Sequence, residues 1–418
     1  MTLANISAAH GSGSTLPLHG IRVVEIGNYI AGPGAAMTLG DLGAEVVKIE
    51  AMEGDMARHA GHYGNAMLRS FNRSKKSVAI DLRTRDGLQA AVRLIASSDV
   101  VIQNLRPGAA DRLGLGAKAL RKENPSLIYC SITGFPAESP SNARAGYDIA
   151  AQAESGLMSL TGDPNGSPQK VGAPIVDTAT AQLAAQAVLA ALLRKERFGG
   201  GETIDISLLE VALHLQLPTW SDYLVRGVQP FRTGEGQPLN APAADLMQTA
   251  DGQIVVSAYI ESHWQRLCRV LGMPELADDP RFCRNELRVA NRSAMKQALS
   301  TAFQRLTTDE AINLLADNNI VAGAVRSYSE VLAGPDFSKS RMLIDVDSNE
   351  QEAGYQSFGL PYDMLEAGRS RTVAPPEVGA DTRSMLAMVG YGEAEIESLA
   401  RNHIVKIAMP ETPVMQET

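Results

Sequence analysis

Cysteine is scarce in this chain, and its arrangement argues against two common uses. The three cysteines, Cys130, Cys268 and Cys283, form no CxxC pair, and no histidine stands at metal-ligand spacing from them. Zinc sites and disulfide frameworks need such spacings. We therefore predict reduced thiols, a cytoplasmic location and no bound metal.

Net positive charge and long apolar runs are also missing. Lys and Arg number 38 against 47 Asp and Glu, a formal charge of −9, so we expect no nucleic-acid partner and no anionic membrane partner. A membrane helix needs about 18 apolar residues, and we expect no such run. The stretch 1–15 has no basic region followed by an apolar one, which argues against a secretory signal, and its Ser, Gly and Ala content predicts a disordered tail.

What the first half does contain is an alternation of strand and helix patterns. The 418 residues are 44% hydrophobic and 20% charged, as in a globular protein with a sizeable core. β-branched runs separated by helical patterns predict a mostly parallel, Rossmann-like sheet covered by helices. The predicted strands are 21–26, 45–49, 76–82, 100–105 and 127–132, and the predicted helices are 35–39, 85–97 and 179–193.

The middle of the chain changes character and predicts a second domain. A hairpin pattern covers 247–258, with Asp251 and Gly252 as its turn, and helical patterns follow it. The predicted fold class is α/β, with a Rossmann-like large domain into which a smaller α+β domain is inserted. The expected parts are the tail 1–15, the first part of the large domain 16–219, the small domain 220–335, and the return to the large domain 336–418.

Asp177 is the most informative single residue. It follows a short apolar approach and precedes the long alanine-rich helix predicted at 179–193. Asp is a preferred helix N-cap, so capping is the commoner role at such a position. The free N–H groups and the positive end of the helix dipole would also keep the carboxylate ionised at neutral pH and supply donors for an oxyanion. The segment alone leaves a cap and a nucleophile open.

Two further features favour a ligand at the ends of the predicted strands. The glycine-rich turn 27–34 does not fit GxGxxG, which argues against the usual dinucleotide fingerprint, although it could still present N–H groups to a ligand. Three basic clusters follow, at 73–76, at 83–85, and at 104–108 with Arg112. Solvated charge is the commoner role of any one cluster. Together they predict an anionic, phosphate-bearing ligand, because guanidinium groups suit phosphate oxygens.

A set of short segments is more specific than any single motif. They are 20–25 (GIRVVE), 31–33 (AGP), 41–50 (DLGAEVVKIE), 75–82 (KKSVAIDL), 103–108 (QNLRPG), 134–135 (GF), 146–152 (GYDIAAQ), 190–194 (AALLR) and 279–282 (DPRF). Because these segments occur together and in this order, the chain resembles the class III coenzyme A transferases, the family of formyl-CoA transferase and carnitine CoA-transferase. The resemblance runs from about residue 16 to about residue 404.

The resemblance implies a covalent mechanism. The aspartate that matches Asp177 is the family's nucleophile, and it attacks the donor thioester to give an aspartyl anhydride and free CoA thiolate. The thiolate then forms an aspartyl-CoA thioester, from which CoA moves onto an acceptor carboxylate. One difficult exchange thereby becomes several near-balanced acyl transfers. Coenzyme A and acyl-CoA are substrates in this scheme, and no permanently bound cofactor is expected.

The resemblance also implies where CoA binds. The residues expected around pantetheine and the thioester are Tyr29, Ile30 and Ala31. The residues expected near the nucleotide and phosphates are Ile80, Arg83, Asn104, Leu105, Arg106 and Arg112. The residues expected near the reacting end are Tyr147 and Asp148. Each arginine could instead be a surface charge, and Asp148 could equally be a structural acceptor.

Two departures from the family pattern predict the kind of acceptor. Formyl-CoA transferases carry glutamine where this chain has Ile30, and a glycine-rich flap where 232–244 has only Gly234 and Gly236. We therefore expect a larger or more apolar acceptor than oxalate or formate, such as a dicarboxylic or branched acid, with succinyl-CoA as a candidate donor. The family forms interlocked homodimers, and the resemblance implies the same assembly here.

Two alternatives remain at this point. α-Methylacyl-CoA racemases share the architecture but move a proton with a histidine and aspartate pair, the histidine standing at the place of Tyr147. A tyrosine with a pKa of about 10 is a poor base at neutral pH, which disfavours that reaction. None of the seven histidines lies in this segment. The second alternative, an acyl-CoA-binding protein without turnover, would need Asp177 to act only as a cap.

Overall fold

The structure is a computed structural model that describes residues 16–236, 243–349 and 352–408. The predicted tail 1–15 lies outside these residues. In the first half the elements are β1 (Arg22–Ile26), α1 (Ala31–Asp41), β2 (Glu45–Glu50), α2 (Gly61–Phe71), β3 (Lys76–Ile80), α3 (Arg85–Ala96), β4 (Val100–Gln103), α4 (Ala109–Arg112), α5 (Ala117–Glu123), β5 (Ile128–Thr133), α6 (Asp148–Glu154), α7 (Leu157–Leu160), α8 (Ile175–Phe198), β6 (Glu202–Ser207) and α9 (Leu208–His214). A 3₁₀ turn, Met56–His59, precedes α2.

The second half is richer in short helices. Its elements are α10 (Leu217–Arg226), β7 (Ala244–Gln248), β8 (Gln253–Ser257), α11 (Glu261–Val270), α12 (Glu275–Asp278), α13 (Asn285–Ala290), α14 (Arg292–Phe303), α15 (Thr308–Asp317), β9 (Val321–Ala324), α16 (Tyr328–Ala333), α17 (Pro335–Ser338), β10 (Leu343–Val346), β11 (Tyr355–Phe358), α18 (Thr382–Met388), α19 (Glu393–Arg401) and β12 (Val405–Lys406).

A large sheet organises the described residues. Its order is β12-β3-β2-β1-β4-β5-β6, and β12 runs antiparallel to β3 while the other neighbours are parallel. The order β3-β2-β1-β4-β5-β6 is that of a Rossmann-like sheet, which reverses direction between β1 and β4. The predicted Rossmann-like, mostly parallel sheet is therefore confirmed.

The two faces of this sheet pack on separate apolar clusters. Val23 and Val24 are adjacent in β1 but belong to different clusters, because successive side chains of a strand point to opposite faces. Val23 packs with residues of α1 and α8, and Val24 packs with residues of α3, α18 and α19. Burial on both faces explains why these strands are runs of Val and Ile rather than alternating patterns.

Helix α8 is longer than the sequence indicated, and it packs closely on α1. It begins at Ile175 and ends at Phe198, so the predicted bounds 179–193 were too narrow at both ends. Among the described residues it is long and apolar enough to cross a membrane by length and composition, contrary to our expectation. Its apolar residues, however, pack in the cluster that covers the sheet. A Cβ on Gly34 of α1 would lie 2.9 Å from the Cβ of Ala181, so glycine permits this close contact.

The described chain divides into two compact units. The first comprises the residues up to Ser155, Gly172–Leu217 and those from Arg341 onward, and the second comprises Gly156–Val171 and Pro218–Ser340. The segment 156–171 therefore groups with the second unit rather than with 16–219. Within the second unit β7, β8 and β9 form an antiparallel sheet, and the predicted hairpin at 247–258 is confirmed.

Candidate active site

A cavity of about 320 Å³ opens at the carboxyl ends of β1 and β4, where the strand order of the sheet reverses. Ligands of open α/β sheets bind at this position, because the loops that follow the two strands turn away in opposite directions and leave a crevice. The cavity is lined by Asn28, Tyr29, Ile30, Ala31, Met56, Asn104, Leu105, Arg106, Pro107, Ile132, Thr133, Gly134, Arg144, Ala145, Gly146, Tyr147, Asp177 and Leu208.

Asp177 lines the cavity from the first turn of α8, but it is not the cap of that helix. Pro174 occupies the N-cap position, and Asp177 is the third helical residue. The side chain that caps the helix comes instead from Asp148, which lies elsewhere in the chain. Its Oδ2 accepts the N–H groups of Val176 and Asp177 at 2.7 and 3.2 Å. Gln152 donates to the other oxygen of Asp148 and fixes its orientation. Capping by Asp177 itself, one of the two roles that the segment left open, is therefore not what the structure shows.

This arrangement also changes the acidity of Asp177. Burial, and secondly the negative charge of Asp148, raise the pKa of Asp177 to about 7. The raised pKa contradicts the expectation that the helix terminus keeps this carboxylate fully ionised at neutral pH, because burial and, to a smaller extent, the charge of Asp148 both disfavour the ionised form. Among the described residues no donor bonds to the Asp177 carboxylate oxygens. The side chain is thus an unpaired, unusually basic carboxylate at the cavity.

The N–H groups at the start of α8 are not available for an oxyanion. Ile175 and Thr178 donate to the carbonyls of Ala173 and Pro174, and the two N–H groups between them donate to Asp148. The first turn of α1 is different, because it has no side-chain cap and Ala31 of that turn lines the cavity. Any backbone donors for the site are therefore expected from α1 rather than from α8.

The loop between β1 and α1 is held in an uncommon conformation. Tyr29 has φ +65°, and its N–H donates to Oδ1 of Asp55 at 3.1 Å. The Asn104 side chain bonds to Asn28 in both directions, accepting its N–H and donating to its carbonyl, each at 2.9 Å. The Tyr29 ring meets the Tyr147 ring edge-on with centroids 6.0 Å apart. Side chains from four segments therefore fix the rim of the cavity.

A buried group of charges supports this loop from below. Glu25 accepts from Lys48 and from Lys75, each at 2.5 Å, and Lys48 also reaches Oδ2 of Asp55 at 2.8 Å. Lys48 donates in addition to the carbonyl of Gly27. Since Asp55 binds the N–H of Tyr29, the ion pairs connect the ends of the strands to the cavity wall.

Most of the predicted site residues line the same cavity. These are Tyr29, Ile30, Ala31, Asn104, Leu105, Arg106, Tyr147 and Asp177. The other predicted residues lie outside it, and they are Ile80, Arg83, Arg112 and Asp148.

Each residue outside the cavity has a structural setting of its own. Ile80 is buried in β3 and pairs with Val405 of β12. Arg83 is exposed beyond the carboxyl end of β3 and forms an ion pair with Asp81 at 2.8 Å. Arg112 is exposed in α4. Contacts of Arg83 and Arg112 with a CoA nucleotide stay predictions.

One of the three predicted phosphate-binding clusters is not available to a ligand. In the cluster 73–76 the Arg73 side chain is buried against Asp41, Lys75 is buried against Glu25, and Lys76 pairs with Glu45. These cations already have carboxylate partners. Arg106 in the third cluster is exposed at the cavity, and no ion pair holds it among the described residues.

Several cavity residues at the end of β5 and in the segment that leads to α6 were not predicted as site residues. Arg144 is the charged one, and Thr133, Gly134 and Gly146 provide the wall beside it. A Cβ on Gly134 would lie 2.4 Å from the Cα of Gly146, so two glycines permit the backbones to touch. The available signal was that the segments 134–135 and 146–152 both belong to the family pattern while Arg144 stands between them.

The fold and the cavity are those of an α/β protein with a Rossmann-like sheet, a cavity at the switch point of that sheet, and a carboxylate that lines the cavity. The model of "CoA-transferase family III" matches residues 18–382. The chain belongs to this family, and the resemblance inferred from short segments is confirmed. It is a CoA-transferase, the predicted class of enzyme. A racemase of the kind considered above would need a histidine at the site, and no histidine is among the described residues that line the cavity.

Named relatives and a solved structure agree with this family. The chain is 35% identical to a succinate–glutarate CoA-transferase of Agrobacterium fabrum, over 80% of this chain and 86% of that protein. It is 31% identical to a succinyl-CoA:mesaconate CoA-transferase of Haloarcula hispanica, over 91% of this chain and 99% of that protein. A crystal structure of a CAIB/BAIF family protein from Brucella suis matches with a TM-score of 0.80 at 34% identity, covering 90% of this chain and all of that chain.

Proposed function

We propose that the protein transfers coenzyme A from succinyl-CoA to a dicarboxylic acid, with Asp177 as the covalent nucleophile. The observation that carries the proposal is the position of the Asp177 carboxylate, which is unpaired in the described residues and lines the cavity at the sheet's switch point. The named relatives support the substrates, because their names join a succinate or succinyl-CoA substrate with glutarate or mesaconate.

In the proposed reaction Asp177 attacks the thioester carbonyl of the donor. The C–S bond breaks, CoA leaves as a thiolate, and an aspartyl anhydride remains. The thiolate attacks the aspartyl carbonyl, which releases the donor acid and leaves an aspartyl-CoA thioester. The acceptor carboxylate then attacks this thioester, and the expelled thiolate attacks the acceptor carbonyl of the new anhydride. The Asp177 carboxylate is regenerated, and the sequence consumes no net proton.

The surroundings of Asp177 suit these steps. A carboxylate whose pKa is raised to about 7 is a better nucleophile than an ordinary aspartate, because nucleophilicity follows basicity. The first turn of α1 has no side-chain cap and lines the cavity through Ala31, so its N–H groups are proposed to stabilise the oxyanion of each tetrahedral intermediate. Arg106, at the cavity, and Arg83 and Arg112, outside it, are proposed to bind the phosphates of CoA.

The assembly and location are proposed with the function. Apolar side chains near the end of α10 are strongly exposed, with Leu224 77% and Val225 85% accessible, which supports burial against a second copy of the chain. We propose the interlocked homodimer of the family, with residues 220–335 as an inserted small domain. The three free thiols favour the reducing, cytoplasmic location that we propose. We also propose no membrane partner, since apolar residues of α8 pack in the cluster that covers the sheet.

Trapping of the acyl-enzyme tests the function. The protein is incubated with succinyl-CoA, hydroxylamine is added, and the peptides are mapped by mass spectrometry. We expect a hydroxamate on Asp177, and none in Asp177→Asn, while both proteins still bind CoA in calorimetry. The asparagine variant keeps the shape of the side chain. Turnover retained in Asp177→Asn, or a hydroxamate on another residue, would refute the assignment.

A further inference from the structure

Arg144 is a second cation at the cavity that contains Asp177. It lies in the irregular segment between β5 and α6, and the residues Ala145, Gly146 and Tyr147 that follow it also line the cavity. Its side chain is 54% exposed, so the guanidinium is reachable from solvent and is not part of the apolar core. Nothing in the proposed acyl transfers so far uses this charge.

The guanidinium is held in one orientation and already binds a carboxylate. Its Cζ lies 4.7 Å from the ring centroid of Phe135, which is buried. Nη2 and Nη1 donate to the two oxygens of Glu154 at 2.6 and 3.2 Å. Stacking on an aromatic ring and a two-point contact fix a guanidinium in a way that a lysine ammonium would not be fixed. The group is therefore preorganised for a carboxylate.

The backbone around Arg144 is fixed relative to the cavity wall. The segment that carries it begins at Gly134 and ends at Gly146, and these two glycines are in backbone contact. The carbonyl of Gly134 accepts the N–H of Leu209 at 3.1 Å, which joins the segment to the start of α9. Arg144 thus stands on a closed loop rather than on a free one.

The charges at the cavity indicate what this cation would meet. Arg106, Arg144 and Asp177 are the charged residues that line it in the described chain. When Asp177 is acylated its negative charge is lost, and two cations remain. Arg106 is assigned to CoA above, which leaves Arg144 for the acyl group. Its present partner, Glu154, is 38% exposed, and an exposed pair of this kind is weak enough to be exchanged for a substrate carboxylate.

We infer that Arg144 is a specificity-determining residue, which binds the remote carboxylate of a dicarboxylic acyl group while the other end of that group reacts at Asp177. The inference rests on the proposed function and adds to it the group that selects a dicarboxylic over a monocarboxylic acid. The remote carboxylate of the bound acyl group replaces Glu154 as the acceptor of the two guanidinium nitrogens of Arg144. A methyl group at the same place gains nothing from Arg144.

Matched donors test this inference. Succinyl-CoA and butyryl-CoA differ by a carboxylate in place of a methyl group and carry the same CoA. We expect the wild-type protein to prefer succinyl-CoA. In Arg144→Gln, kcat/KM for succinyl-CoA should fall by about ten- to a hundredfold, mainly through KM, because a charge-assisted contact is lost. The value for butyryl-CoA should stay within about threefold. Arg144→Lys should recover part of the preference.

Glu154→Gln is the matched control, since it breaks the same ion pair from the other side. If Arg144 recognises substrate, Glu154→Gln keeps the preference for succinyl-CoA. If the ion pair only stabilises the loop, both variants lose activity with both donors equally, and that result would overturn the inference. An equal loss with both donors in Arg144→Gln alone would assign the residue to CoA instead. A different result would refute the proposed function itself: the wild-type protein would give no hydroxamate on Asp177 with either donor.

Discussion

At the scale of single residues, two aspartates have different roles at the start of α8: Asp148 caps the helix, and Asp177 lines the cavity. Asp148 accepts the N–H groups of Val176 and Asp177, and its charge contributes to the raised pKa of Asp177. A cap that is itself an anion thus adds to the effect of burial and makes the neighbouring carboxylate, the proposed nucleophile, more basic. The cost is that Asp177 is only about half ionised near pH 7, where its pKa lies.

Asp148→Asn should separate the two effects. Asparagine retains a carbonyl oxygen for the helix N–H groups, but it removes the charge that, after burial, is the second cause of the raised pKa of Asp177. In the wild-type protein the rate of hydroxamate formation should rise with pH through about 7, because the ionised form reacts. In Asp148→Asn this rise should move to lower pH. Glu196→Gln, at the exposed far end of α8, is the control. A profile independent of pH between about 5 and 8 would contradict the assigned pKa.

These residues also show what the sequence could not predict. The position of Asp177 beside a helix start was predicted, but its cap comes from a residue 29 positions earlier, which local preference does not indicate. The same holds for the basic cluster 73–76. Its side chains are paired with Glu25, Asp41 and Glu45, which are distant in sequence and are brought near by the tertiary fold. From the sequence alone, a cationic side chain whose carboxylate partner is far away along the chain cannot be told apart from one that has no partner.

At the scale of elements, the central strands and the start of α3 at Arg85 were predictable, whereas the starts of α1 and α8 were not. Val and Ile runs such as 45–49 are long enough to identify a buried strand. Helix α1 begins at Ala31, inside the glycine-rich turn, whereas the sequence predicted a start near Ala35. Glycine and proline weaken a helical pattern locally. Packing of α1 on α8, which Gly34 permits, provides stabilisation that the sequence pattern does not reveal.

The contact between Gly134 and Gly146 is an element-scale test of the cavity wall. Gly134→Ala places a Cβ 2.4 Å from the Cα of Gly146, so the two backbones must separate. We expect a loss of about 1–3 kcal/mol in the free energy of unfolding, as for other overpacked sites. Acyl transfer should fall as well, since Arg144 and Tyr147 would move. Gly323→Ala in β9 has open space around the new Cβ and should change neither quantity strongly. Urea unfolding monitors stability; an unchanged midpoint in Gly134→Ala would contradict the packing argument.

At the scale of the whole molecule, a buried ion cluster connects the sheet to the active-site loop. Glu25 is fully buried and is the shared partner of Lys48 and Lys75. Burial lowers the pKa of Lys75 to about 8 although Glu25 opposes the shift, which shows how strongly the interior disfavours this charge. The cluster is therefore stable only while its carboxylate is present.

Glu25→Gln should destabilise the whole fold. It leaves two buried ammonium groups without their shared carboxylate, and breaking a buried pair typically costs about 3–5 kcal/mol. The control is Glu45→Gln, which also has two cationic partners, Arg22 and Lys76, but is partly exposed. That variant should lose at most about 1 kcal/mol. Thermal unfolding compares the two proteins at equal pH. Equal losses would indicate that burial does not decide the value of these ion pairs.

The proposed interlocked dimer can be tested, because its chains would exchange differently from those of an ordinary dimer. Exposed apolar side chains such as Leu224 and Val225 favour burial against a second chain. Their exposure does not distinguish a dimer held by surface contact from one whose chains are threaded through each other. Interlocked chains cannot separate without unfolding. We therefore expect one dimeric species at every dilution in analytical ultracentrifugation. When two differently tagged preparations are mixed, we expect no hybrid dimers until both are unfolded in denaturant and refolded together. Hybrids formed under native conditions, or folded monomers that reassociate reversibly, would identify an ordinary dimer and remove the interlocked assembly from the proposal.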